Sequence, residues 1–184
     1  MMTFASFAES APVTQWPMRL LLVGVVLAII AGVLLAMRRG WRNRGLRQAQ
    51  IPQPPAAPGA LNPRSLGPVG GVYLGSTSAG DWLDRIVVHG LGLRSRALLE
   101  AGPQGVLLTR DGAPDVFIPA ASLHRVGAGR GIAGRAYGQD GVLILTWDLG
   151  GRLIDTGWRA DRAADQESAE VAVCALVAAD ERMG

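Results

Sequence analysis

Lysine is missing from this 184-residue chain, in which all 18 basic residues are arginine. Cysteine is almost missing too: Cys174 stands alone, which excludes an intrachain disulfide and fits a reducing compartment. The two histidines, His89 and His124, are far apart in sequence and far from Cys174, so no metal-ligand spacing exists and no metal or other cofactor is expected. No serine or cysteine is tied to a general base by a recognisable motif, so the chain is read as non-enzymatic. Absent lysine, beside abundant alanine and glycine, points to a GC-rich bacterial genome rather than to a function.

An isoelectric point of about 10.0 invites a nucleic-acid reading. The charge sits in the wrong place for one. Before Gly70 there are seven arginines against Glu9 alone; from Gly70 onward 11 arginines face 14 carboxylates. A domain that neutralises phosphates carries its own positive patch, so no nucleic-acid partner is expected.

Long apolar runs are scarce, with one exception. Residues 20–37 read LLLVGVVLAIIAGVLLAM, without a charged or strongly polar side chain. At about 1.5 Å per residue such a helix covers about 27 Å, close to a bilayer's hydrocarbon core. Its Leu, Val and Ile residues favour insertion by about 4 to 7 kcal/mol in sum, an upper bound because end positions count less. Trp16 and Trp41 bracket the run as interfacial aromatics do. A cleaved signal peptide is the rival, but the run exceeds the usual 7–15-residue apolar region and lacks a small-x-small cleavage site. Arg38, Arg39, Arg42, Arg44 and Arg47 form a juxtamembrane basic cluster after the run, against Arg19 before it. The positive-inside rule then places residues 1–19 outside, the span at 20–37 in the inner (plasma) membrane, and the C-terminal part in the cytoplasm. The same arginines are candidates for anionic lipid headgroups.

Residues 38–69 combine this basic segment with a proline-rich stretch, 48–68, that lacks periodicity and reads as a stiff, extended spacer. From Gly70 to residue 184 short apolar runs alternate with Gly, Pro and Asp. Strands are expected over 71–74, 85–89, 94–101, 105–110, 116–119, 141–147 and 153–158. The run over 141–147 is apolar on both faces, as a central strand is. A final helix is expected over 161–179, capped by Asp161, with Val171, Cys174, Ala175 and Ala178 as its buried stripe. About seven antiparallel strands and one helix make a bent sandwich or barrel with the helix over its open end.

Several stretches, Tyr73-Leu-Gly-Ser-Thr77, Asp81-Trp-Leu-Asp-Arg-Ile86, Gly90-Leu-Gly-Leu-Arg-Ser-Arg96, Asp111-Gly-Ala-Pro-Asp-Val-Phe-Ile-Pro119 and Thr156-Gly-Trp158, resemble actinobacterial membrane-anchored proteins with a pleckstrin-homology-like (PH-like) domain. Members of that family are sometimes labelled transporter or exported membrane protein. The resemblance covers the anchor and nearly everything from Gly71 on. It implies a seven-stranded, bent β-sandwich closed by a C-terminal helix, and it offers no catalytic residues.

Arg85, Arg94 and Arg96 loosely resemble the basic arrangement with which some PH domains hold lipid phosphates, and are candidates for such a contact. Trp82, Trp147 and Trp158 are expected in the core or at its edge, and Trp82, in a polar Asp-Trp-Leu-Asp setting, is the candidate among them for meeting a partner. Gly129-Arg-Gly-Ile-Ala-Gly134 spells a dinucleotide motif, but no helix follows it, so a hairpin connection is expected. Ser76, Thr77 and Ser78 are read as turn and capping residues. The expectation is a membrane-tethered interaction module for a cytoplasmic or membrane protein. The alternatives are anionic-lipid binding and an accessory subunit of a membrane complex; one helix cannot enclose a transport pathway.

Overall fold

The computed structural model describes residues 16–138 and 141–180, with the backbone alone over 41–47, 179 and 180. Residues 1–15 of the expected tail at 1–19 and the side chains of Trp41, Arg42, Arg44 and Arg47 lie outside the described residues, and residues 16–19 belong to the first helix. The chain divides into two units after Asn43.

The first unit holds most of α1 (Trp16–Arg47), which prolongs the apolar run as one helix at both ends. Trp16–Gly40 is long and apolar enough to cross a membrane, a property that a signal sequence near an N-terminus shares. Arg38 and Arg39 are exposed on it.

In the second unit, seven strands make one antiparallel sheet in the order β4 (Val116–Pro119), β3 (Gly105–Arg110), β2 (Ser95–Gly102), β1 (Leu66–Ser78), β9 (Leu153–Ala160), β8 (Val142–Asp148) and β5 (Leu123–Gly129). The sheet stays open, so the barrel alternative is not formed. β1 is its pivot: its first half pairs with β2 and its second half with β9, with irregularities between Leu66 and Val69 and between Tyr73 and Gly75. Helix α2 (Ala163–Asp180) closes one face, packing on β5, β1, β2 and β9.

The main core lies under that helix, built on Tyr73, Leu99, Leu108, Ile118, Trp147 and Trp158. Trp158 stands opposite both Tyr73 on β1 and Leu143 on β8. Its indole needs room that only glycine leaves: a Cβ on Gly71 would lie 2.6 Å from two Trp158 ring atoms and overlap the Arg159 carbonyl. A smaller core covers the opposite face. There the hairpin of β6 (Gly131–Ile132) and β7 (Arg135–Ala136) lays Ile132 and Ala133 against Leu74 and Val142. Burying Ile132 contributes about 1.5–3 kcal/mol to holding the hairpin down. The double-sided apolar reading of β8 therefore holds, with Leu143, Leu145 and Trp147 facing one core and Val142 and Ile144 the other. The Gly129–Gly134 letters fall on this hairpin, as expected.

Four expectations need correction. Residues 85–89 do not form a strand: Arg85 makes a single bridge to Thr77, and the chain then turns through a 3-10 helix, Val88–Gly90, with His89 at φ 54°. The sequence does not predict β5, because an edge strand with two glycines and one buried residue, Leu123, carries little apolar signal. Asp161 does not start α2, which begins at Ala163; its carboxylate is engaged by Arg96. The stripe read as buried, Val171, Cys174, Ala175 and Ala178, faces outward, and Ala169, Val173, Leu176 and Val177 pack on the sheet instead.

The proline-rich stretch also departs from a free spacer. Residues 48–65 lie along the second unit as a strap without regular structure. The Gln48 side chain, 5% exposed, donates to the Arg85 carbonyl at 3.0 Å and accepts the Val87 N–H at 2.7 Å. Ile51 joins the main core, and its carbonyl meets the His89 ring at 2.7 Å. Leu61 is fully buried, and Ser65 donates twice to the Ala101 carbonyl just before β1 starts. With two apolar anchors ten positions apart, no period betrays the contact.

Candidate interaction surfaces

The three arginines considered for phosphate do not form a cluster with free guanidinium groups. Arg85 turns inward and donates to the carbonyls of Gly92 at 3.1 Å and Ala133 at 2.7 Å, tying the loop before β2 to the β6–β7 hairpin. Arg96 grips Asp161 through two 2.7 Å hydrogen bonds, joining β2 to the start of α2. Those bonds hold the Asp161 carboxyl below its ordinary range and raise the Arg96 guanidinium. Arg94, just ahead of β2, is exposed.

The arginine that sequence reasoning passed over is Arg110. Its guanidinium lies 4.0 Å over the Tyr73 ring and donates to Ser95 Oγ and to the carbonyls of Pro114, Gly90 and Leu93, the last at 2.6 Å. Burial lowers its pKa from the usual arginine value. This cation fixes the loop ahead of β2. A signal was present: Arg110 follows Val106 and Leu108 at strand spacing, in phase with two core residues.

The hydroxyls do not act as turn caps alone. Ser76 is fully buried within β1, 2.8 Å from both Tyr73 Oη and Thr156 Oγ1. Tyr73 also donates to the Leu91 carbonyl at 2.8 Å, and Trp147 Nε1 donates to Thr156 at 2.9 Å. Burial pushes the Tyr73 hydroxyl up to about 12, with Ser76 and the two arginines pulling the other way. These groups satisfy one another inside the core, out of reach of any substrate. Ser78 sits on the rim, where its hydroxyl donates to Asp84 and accepts from Arg152. His124 is exposed on β5, while His89 meets the Ile51 carbonyl. Among the described residues, no group of three or more His, Cys, Asp or Glu side chains could hold a metal ion.

The described residues offer two open surfaces. The first is a loop tip. Asp81 Oδ1 accepts the N–H groups of Leu83 and Asp84, at 3.0 and 3.2 Å, a turn that presents Trp82 (48% exposed) and Leu83 (62%) to solvent. The second is the outer side of α2. Val171, 66% exposed, lies between a shallow groove of about 610 Å³, lined by Leu66, Ala175 and Leu176 among others, and a second along Cys174 and Ala178. Glu167 borders both grooves and Glu170 the second, and among the described residues no basic side chain lines either. Burial and Glu170 raise the Cys174 thiol above its ordinary pKa, so it is not an activated nucleophile.

A family model described as bacterial PH domain-like matches residues 49–173, from the start of the strap into α2. A search of curated proteins finds no match to the chain.

Proposed function

Because the chain belongs to the bacterial PH domain-like family, whose fold is generally non-catalytic, we propose that it works as a membrane-tethered interaction module. α1 is the tether, inserted as a single span in the plasma membrane with the N-terminus outside and the PH-like domain in the cytoplasm. The arginine-rich flank after the apolar run supports that orientation. The domain receives a protein segment along the outer side of α2.

The observation that carries this reading is the exposed apolar side of α2 at Val171, Cys174 and Ala175, while Ala169, Val173, Leu176 and Val177 are spent on the core. An exposed Val171 beside grooves rimmed by Glu167 and Glu170 suits an apolar segment with basic flanks. Tethering raises the effective concentration of a membrane-bound or membrane-proximal partner, so a modest contact suffices. Co-purification from solubilised membranes tests it, comparing the full chain with its Val171→Glu variant. A protein that bears a basic-flanked apolar segment, held by the parent and lost from the variant, supports the reading. Identical retention by both chains, with the fold intact, overturns it.

A further inference from the structure

Exposed large apolar side chains are few on the second unit, and the loops gather most of them at one end. Trp82, Leu83, Leu93 and Leu153 are each between 45% and 62% exposed. Hydrogen bonds join the loops that carry them: the Trp82 carbonyl accepts the Gly134 N–H at 3.0 Å, and the Leu153 carbonyl accepts the Ala79 N–H at 3.1 Å. Arg85 ties Gly92, next to Leu93, to Ala133, next to Gly134. The acidic residues there are engaged, Asp84 by Arg152 and Ser78, Asp81 by backbone N–H groups. Arg94 and Arg135, both exposed, directly follow Leu93 and Gly134 in the chain, and Gly134 is bonded to the Trp82 carbonyl.

The strap begins at this same end of the second unit. Gln48, the residue after α1, is fixed to the backbone of Arg85 and Val87, within a few residues of Leu83. Only ten residues separate Met37, the last of the apolar run, from Gln48. Those ten reach about 15 Å as a helix and at most about 36 Å fully extended. Because the strap is docked rather than free, it adds nothing to that reach.

We propose that the loop end carrying Trp82, Leu83 and Leu93 rests in the headgroup region of the bilayer into which α1 inserts. Tryptophan and leucine suit that interface, and the two arginines suit its anionic lipids. The contact differs from a phosphate-binding arginine cluster, since Arg85 and Arg96 are committed to internal partners. It rests on the tether reading above, and the test separates the two.

The experiment uses the full chain with Cys174→Ser, reconstituted into vesicles of phosphatidylcholine and phosphatidylglycerol. An environment-sensitive fluorophore is placed on Leu83→Cys, on Leu27→Cys within α1, or on Ser168→Cys of α2. Quenching of the Leu83→Cys probe by nitroxide-labelled lipid, with loss of quenching by aqueous iodide, is expected, while Ser168→Cys stays open to iodide. If the Leu27→Cys probe is quenched from the lipid and the Leu83→Cys probe only from water, the tether stands and this inference falls. If neither is quenched from the lipid, the tether reading falls with it. Shielding of the Leu83→Cys probe from iodide without lipid quenching means a second copy covers the loops, which also overturns the proposal.

Discussion

Tyr73 holds a phenol where its ionised form is poorly accommodated: fully buried, donating to the Leu91 carbonyl and bonded to Ser76. Its folded pKa, pushed to about 12, stands above the ordinary value of 10.0. A raised folded pKa means stability is fully present below pH 10 and is lost as the pH climbs toward 12. A rise from 10.0 to about 12 corresponds to about 3 kcal/mol at most. With no lysine in the chain, few other groups titrate in that window. Tyr73→Phe is therefore expected to flatten the alkaline fall in unfolding free energy between pH 10 and 12, measured by denaturant melts, while lowering stability at pH 7. An unchanged alkaline slope would mean Tyr73 does not couple folding to that titration. At this scale the sequence revealed residue types but not their commitments. The strand alternation placed Ala97, Leu99 and Ala101 correctly on the buried side of β2. It had no means of showing that Arg85 and Arg96 are used internally, because their partners, Ala133 and Asp161, are 48 and 65 residues away.

Helix α2 shows how a correct period can carry the wrong phase. Its valines, alanines and single cysteine occur all around the cylinder, so two apolar stripes fit the sequence and only packing chooses between them. The sheet selects Ala169 and Val173, both fully buried, since small residues let the helix approach β5 and β1. Val173→Ala is expected to cost about 2 kcal/mol through lost burial and the cavity left behind. Val171→Ala is expected to leave the melting temperature almost unchanged. Thermal unfolding of the two variants checks the assignment, and the reverse ranking would restore the outward stripe to the core. Strands whose apolar residues repeat at strand spacing, β2, β3, β8 and β9, were legible from sequence. β5 was not, because its neighbours β8 and α2 supply the apolar surface that it lacks itself. Residues 85–89 failed in the opposite sense, since Ile86 is buried from a loop rather than from a strand.

Over the whole molecule, the strap changes what the proposed tether can do. A proline-rich spacer would let the domain search a wide volume; a docked one makes the strap part of the folded unit. The family match beginning at residue 49 includes it as well. Its anchors sit far apart on the domain: Gln48 on the backbone of residues 85 and 87, Ile51 in the core, and Leu61 near Gly102 at the β2–β3 turn. Proline favours such a path because an extended strap that is already stiff loses less conformational entropy on docking. If the strap folds with the domain, Leu61→Ala in the full chain should destabilise it by about 2–5 kcal/mol, as for other buried leucines. Equilibrium unfolding followed by the fluorescence of Trp147 and Trp158 reads that loss, since both tryptophans lie in the main core. A free spacer predicts no change in the midpoint. The first outcome keeps the domain within the reach of ten residues from the apolar run; the second releases about twenty more and removes the constraint on which the proposed bilayer contact of the Trp82 loop rests.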